Sequence, residues 1–158
     1  MKKIALMLFM LGALVSCGTS AVVKEANATM KGDWVLSSIT YPGNETAFKV
    51  TLFNDVSSEC LENSSWKFVS NNNTGSYVLS GMNCGNETRF FRWSIKEVNA
   101  EAGNYDFMLK PTDEDYKSAT DQGFRINLTN LDGNQMVWEQ TITFEGEPFT
   151  IRMNFYKQ

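Results

Sequence analysis

The sequence predicts an all-β fold, an antiparallel up-and-down β-barrel of eight or nine strands, from three observations. From residue 33 onward, apolar and polar side chains alternate with a period of two, as in strands that have one buried and one solvated face. Compact turn signals such as Asn73-Thr74-Gly75, Ala102-Gly103 and Asp132-Gly133 separate the alternating segments. A meander of so many strands hides its edges most completely by closing into a barrel, and a sandwich hides them less fully.

Length and charge restrict the classes of protein to which the chain can belong. Its 158 residues suit a single domain, and the hydrophobic fraction of 42% is too high for a disordered chain. The formal net charge of −4 disfavours nucleic-acid binding. Because the chain has no His, histidine-based catalysis and His-ligated metal sites are excluded.

The first segment, residues 1–16, predicts a signal peptide that is removed from the mature protein. Lys2 and Lys3 form its basic start, and residues 4–15 form an apolar segment. A helix of this length, at 1.5 Å per residue, is too short to cross a bilayer core of about 30 Å.

The signal peptide ends in the motif LVSC at residues 14–17, which resembles the lipobox of bacterial lipoproteins. The resemblance implies that Cys17 is acylated, as a palmitate-type lipid anchor, and becomes the new N-terminus. Several acyl chains are needed because one chain holds a protein only marginally at a membrane. No acidic residue directly follows Cys17, which by resemblance favours the outer membrane, facing the periplasm. The alternative is an ordinary secretory signal with a Cys near its end by chance.

Residues 17–31 predict the acylated Cys followed by a flexible tether, because they are small and polar with little periodicity. The barrel domain then occupies residues 32–158. Loss of the signal peptide leaves 12 basic and 18 acidic residues, a net charge of −6. Anionic lipid surfaces repel such a domain, so the acyl chains must provide the anchoring.

The two remaining cysteines, Cys60 and Cys84, predict a disulfide, since an exported pair meets an oxidising compartment. The ring would stabilise the fold by roughly 3.5 kcal/mol in the loop-entropy model. A redox-active pair or two free thiols are the alternatives, but C-x-x-C spacing and a neighbouring His are both absent.

Alternation and turn signals together place nine strands in the body of the chain. A short helical turn is possible around residues 55–61. The predicted strands lie near residues 33–41, 48–53, 65–70, 76–81, 88–97, 104–110, 123–131, 135–144 and 148–157.

The start of the first strand, Gly32-Asp33-Trp34, followed by a meander, resembles the lipocalins. The resemblance to this family of lipocalin-like bacterial lipoproteins implies that Trp34 closes one end of the barrel, with a basic residue of the last strand packed over its ring. Arg152 is the only Arg in that strand, so it is the expected partner. In the alternative interpretation, Trp34 is a plain core aromatic of another barrel or sandwich.

Motifs for chemistry are missing. A Gly-rich phosphate loop is absent, and the acidic run at residues 113–115 lacks the spacing of an EF-hand. We therefore predict no enzymatic activity, no catalytic residue, no metal site and no cofactor. The sequence does not determine the oligomeric state.

The aromatic side chains suggest the function. At about eight strands a barrel is either filled by side chains or holds one small ligand. We expect a lipid-anchored protein whose interior binds a small hydrophobic molecule. Alternatively, the barrel is solid and docks on another envelope protein. The expected wall residues are Trp66, Phe68, Tyr77, Phe91, Trp93, Phe107, Phe124 and Trp138.

Overall fold

The computed structural model describes residues 20–44, 48–81, 83–99, 104–118, 120 and 122–158. The predicted signal peptide and the predicted acylation site at Cys17 lie outside the described residues. The elements follow in this order: α1 (Ala21–Met30), β1 (Gly32–Thr40), β2 (Thr51–Leu52), β3 (Val56–Ser57), α2 (Ser58–Leu61), β4 (Ser65–Val69), β5 (Thr74–Val78), β6 (Thr88–Asn99), β7 (Asn104–Thr112), β8 (Phe124–Leu131), β9 (Gln135–Phe144) and β10 (Glu147–Lys157).

Eight of these strands form one closed antiparallel barrel in the order β1-β10-β9-β8-β7-β6-β5-β4. From β4 to β10, strands that follow each other in sequence are neighbours, and β1 closes the barrel by pairing with both β10 and β4. The prediction of an all-β, up-and-down barrel is therefore confirmed. Alternate side chains point inward and form one aromatic-rich core.

The predicted strand at residues 48–53 is wrong as a barrel strand. Only Thr51–Leu52 is extended there, and it pairs with Val56–Ser57 in a separate two-stranded hairpin. Phe53 and Asn54 have positive φ angles of 56° and 53°, which reverse the chain after two residues. Alternation in so short a segment resembles that of a barrel strand, so the pattern alone misplaced it.

The predicted strand at residues 76–81 begins earlier, at Thr74, because Gly75 lies inside β5 and not in the preceding turn. A Cβ at Gly75 would come within 2.3 Å of the Phe91 ring and 2.7 Å of the Lys67 carbonyl oxygen. The glycine therefore allows the Phe91 ring to lie directly against the backbone of β5.

The prediction of a flexible tether is wrong for the residues that form α1. The Ser20 hydroxyl caps the helix by accepting a hydrogen bond from the Val23 amide at 3.2 Å. Val23, Ala26 and Met30 are buried on one face of the helix. Only three of the ten residues form this apolar stripe, and small or polar side chains lie between them. The composition of the segment therefore does not reveal an amphipathic helix.

The two ends of the barrel are unlike. One end, called here the helix end, is covered by α1 and includes the turns at residues 70–73 and 132–134. The other, called the loop end, carries the longer connections and the tip of the β9–β10 hairpin. Its described segments include residues 48–64, 83–87, 113–118 and 145–147.

Candidate functional site

The predicted ligand wall lies inside the barrel, but its side chains are packed together and enclose no ligand-sized cavity. A side chain that lines a ligand-sized cavity keeps accessible surface toward that cavity. Seven of the eight predicted residues keep almost none. Their exposed fractions are Trp66 1%, Phe68 1%, Tyr77 5%, Phe91 0%, Trp93 3%, Phe107 0% and Trp138 0%. The eighth, Phe124, is half-buried and packs edge-on against Phe53 at 5.4 Å.

These aromatic rings contact one another both along neighbouring strands and across the barrel, where the centroids of Trp66 on β4 and Trp138 on β9 are 5.5 Å apart. The Trp66 and Tyr77 rings stack with their centroids 4.3 Å apart. Trp138 lies 4.7 Å from Phe107 and 4.6 Å from Phe155, ring centroid to ring centroid. Each such pair adds about 0.5–1.5 kcal/mol beyond the burial of its area. The predicted wall is thus the packed core of a filled barrel.

The polar atoms of the core tryptophans are mostly satisfied by the protein itself. The Trp66 indole N–H donates to the Ser64 hydroxyl at 2.8 Å, and that of Trp93 donates to the Thr74 carbonyl at 2.8 Å. Among the described residues, the buried Trp138 indole nitrogen finds no acceptor. One unpaired donor among so many rings provides little to orient a ligand, because binding pockets use several convergent polar groups.

The helix end is closed by Trp34, as the resemblance implied. Its indole N–H donates to the Met30 carbonyl at 2.8 Å, and both side chains are fully buried. The Lys157 ammonium lies 5.1 Å from the centre of the Trp34 ring and donates to the Thr29 carbonyl at 2.9 Å. Gly32, at φ +125°, adopts a backbone conformation that disfavours other residues and leaves room for the Lys157 side chain.

The basic residue over Trp34 is therefore Lys157, and the prediction of Arg152 is wrong. Arg152 pairs with Thr40, at the opposite end of β1 from Trp34. Its guanidinium forms an ion pair with Glu139 at 2.7 Å on the outer face. An ammonium is attracted to the face of an indole ring as a guanidinium is, so a prediction that considered only Arg could not identify Lys157.

The predicted disulfide between Cys60 and Cys84 is present, and it fastens the segment that covers the loop end. It joins α2 to the connection between β5 and β6. Leu61, the next residue after Cys60, is buried, and so is Phe53, whose ring meets the Trp66 ring edge-on at 6.2 Å. The segment between β1 and β4, called the plug below, therefore folds over this end and helps to seal the core.

A cleft of about 600 Å³ remains outside this plug, between the β2–β3 hairpin and the adjoining ends of β6 and β7. At its base the Tyr77 hydroxyl donates to Asp55 at 3.2 Å, and Arg89 forms an ion pair with the same carboxylate. Burial and the Asp55 carboxylate both raise the pKa of Tyr77. The phenol therefore keeps its proton well into the alkaline range, and its hydrogen bond to Asp55 joins β5 to the β2–β3 hairpin.

Sequence reasoning missed a second surface feature, the tip of the β9–β10 hairpin. Ile142 and Phe144 share the parity of the buried Met136 and Trp138, but they are 39% and 47% exposed. All residues from 141 to 148 are exposed. Parity shows which face of a strand a residue occupies, but not where the strand leaves the barrel.

The described residues contain no group of three or more His, Cys, Asp or Glu placed to hold a metal ion. In the same part of the chain, no helix has the length and apolar character needed to cross a membrane. Comparisons with protein-family models, with curated proteins and with solved structures found no match. The functional interpretation therefore depends on the geometry described above.

Proposed function

We propose that this protein is a lipid-anchored, lipocalin-like lipoprotein of the bacterial envelope whose solid barrel presents its loop end to a partner protein. One observation supports this role above all: the aromatic residues that fill the interior keep almost no accessible surface. A barrel without an internal cavity offers its outer surface for recognition.

Binding of a small hydrophobic molecule in the interior is the weaker alternative. Ligand pockets usually enclose about 300–1,000 Å³. A ligand of that size would have to displace stacked rings such as those of Trp66 and Tyr77. Opening a packed core in this way costs several kcal/mol, which the ligand would have to supply on binding.

The length of chain before α1 determines how the anchor would act. Cys17 lies three residues before Ser20, the first residue that the structure describes and the N-cap of α1. Three residues span at most about 11 Å. An acylated Cys17 would hold the helix end close to the membrane, with the loop end directed away from it.

The charge distribution supports this orientation. The loop-end segments defined above contain nine acidic residues and only two basic ones. At the helix end the two signs are balanced, because Lys24, Lys31 and Lys157 accompany an equal number of acidic residues. These acidic residues are Glu25, Asp33 and Asp132. The loop end would be the part of the domain that anionic lipids repel most strongly.

Three measurements on the mature protein test the proposal. Intact mass should show acyl chains on Cys17, and a Cys17→Ala chain should lack them and leave the membrane fraction. Crosslinking in the envelope should recover one stoichiometric partner protein. Native mass spectrometry should show the barrel without a bound small molecule. A mature chain without acyl chains would overturn the anchoring, and a co-purifying hydrophobic molecule in stoichiometric amount would overturn the solid-barrel role.

A further inference from the structure

The β9–β10 hairpin extends beyond the barrel as a two-stranded ribbon. Pairing of β8 with β9 reaches only to Glu139, and pairing of β1 with β10 reaches only to Arg152. Beyond these positions, residues 140–144 pair with residues 147–151 across the ribbon alone. Each ribbon strand therefore has one edge without a neighbouring strand.

The two free edges differ in how well they are covered. On the β10 side, the rings of Tyr41 and Phe48 pack against Phe149, at 5.4 Å and 5.0 Å between ring centroids. The Phe48 ring also reaches Phe144 of β9, on the same face of the ribbon, at 6.2 Å. On the β9 side, residues 141–144 are exposed. Among the described residues, no backbone group outside the ribbon hydrogen-bonds to residues 140–144. The β9 edge is therefore the open one.

An open strand edge selects its ligand by backbone geometry. It offers N–H and C=O groups at strand spacing, and an extended polypeptide satisfies them in full by adding a strand. Gln140, Ile142 and Phe144 lie on one face of this edge, and Thr141 and Thr143 lie on the other. A strand with apolar side chains in alternate positions would extend the apolar face that contains Ile142 and Phe144.

Charge indicates which polypeptide fits. Glu145 and Glu147 border the ribbon tip, and neither forms an ion pair with any residue that the structure describes. They belong to the acidic surplus of the loop end. A second copy of the chain would bring two such acidic ends together, whereas a segment with Lys or Arg beside its apolar positions would be attracted.

We infer that residues 140–144 of β9 form a docking edge for an extended, basic segment of a partner protein, which binds as an additional strand. This inference depends on the proposed function, because it specifies where and how the partner docks. It assigns recognition to the backbone edge, to Ile142 and Phe144, and to the two glutamates of the tip.

A synthetic peptide of alternating Val and Thr with Lys at both ends is a suitable probe. Its binding to the complete lipidated protein in detergent would be followed by fluorescence anisotropy. We expect saturable binding, at least tenfold weaker for Ile142→Ser and for the double variant Glu145→Lys/Glu147→Lys. Tyr156→Ser and Glu25→Lys are the matched controls at the helix end and should bind normally. A peptide with Glu ends, or one with a central Pro, should bind at least tenfold more weakly.

Equal binding to all these variants, or no binding of the Lys peptide, would overturn the docking edge. Self-association through β9 in sedimentation experiments would overturn it in favour of a second copy. A photo-crosslinking residue at Thr141 separates this inference from the proposed function. A stoichiometric partner captured from another surface, but never from Thr141, would leave the interaction role intact and reject this edge.

Discussion

The helix end and the loop end of the barrel are closed in different ways. At the helix end, Trp34 and Met30 lie only four residues apart in sequence, and the Trp34 indole N–H donates to the Met30 carbonyl. At the loop end, the plug is held by the Cys60–Cys84 disulfide and by the ion pair of Arg89 with Asp55. The closure of the helix end is centred on a local, apolar contact to which Lys157 adds a charge. The closure of the loop end joins distant segments by a disulfide and an ion pair.

Under the proposed function, this difference also separates stability from recognition. Apart from Lys157, the closure of the helix end uses buried groups that no partner can reach. The loop end keeps exposed apolar side chains, Ile142 and Phe144, on a ribbon that leaves the barrel. Substitutions at the first end should therefore reduce stability, and substitutions at the ribbon should leave it almost unchanged.

The largest effect is expected at Trp34. Trp34→Ala removes a fully buried indole and its hydrogen bond to Met30, so the free energy of unfolding should fall by about 3–5 kcal/mol. Phe144→Ala, at the other end, removes a half-exposed ring and should cost about 1 kcal/mol or less. Urea unfolding followed by tryptophan fluorescence measures both. Equal losses for the two variants would contradict the division between the ends.

The next largest effect concerns the covalent closure of the loop end. The double variant Cys60→Ala/Cys84→Ala removes a disulfide between residues that are 24 positions apart in sequence. Its free energy of unfolding should be lower by about 3.5 kcal/mol. A reducing agent should destabilise the wild-type chain to a similar extent and leave the variant unaffected. If the reductant shifted both chains equally, its effect would not come from this disulfide.

Periodicity was sufficient to predict the barrel, because alternation along each strand and closure of a meander are properties of the whole sheet. It was not sufficient for the short elements. Helix α1 buries only Val23, Ala26 and Met30, too few positions for a helical period to stand out. The segment at residues 48–53 alternates like a strand, but positive φ angles at Phe53 and Asn54 end it.

The candidate site was predicted less well, and the reason is physical. Sequence alternation places Trp66 or Phe107 inside the barrel, but whether rings fill a tube depends on how they interlock. Gly75, which admits the Phe91 ring, was interpreted as part of a turn. The open edge of β9 depends on where its pairing with β8 stops, and nothing in the residues 140–144 marks that point.

The contribution of Lys157 can be tested against that of Arg152. Lys157→Ala removes the cation over Trp34 and the hydrogen bond to Thr29, so we expect a loss of about 1–2 kcal/mol. Arg152→Ala removes an exposed ion pair with Glu139, and the expected loss is about 0.5 kcal/mol. Thermal and urea unfolding of the two variants decide which basic residue closes the barrel. A larger loss at Arg152 would restore the original prediction.

The smallest effect is a pH dependence that arises at the loop end. Burial, and then the Asp55 carboxylate, raise the pKa of Tyr77 above its ordinary value of about 10. The folded chain therefore keeps the phenol proton at pH values where the unfolded chain has lost it. Stability should be insensitive to this group below about pH 9 and fall as the pH rises further, by about 0.8 kcal/mol up to about pH 10.5.

Tyr77→Phe should remove that part of the alkaline loss, while Tyr156→Phe, at an exposed position near the helix end, should keep it. Comparison of the two variants cancels the titration of the lysines, which both chains share. Urea unfolding in steps across this pH range measures the slopes. Because the hydrogen bond from Tyr77 reaches Asp55 in the β2–β3 hairpin, a missing difference in slope would show that the hairpin does not hold the phenol in its buried, protonated state.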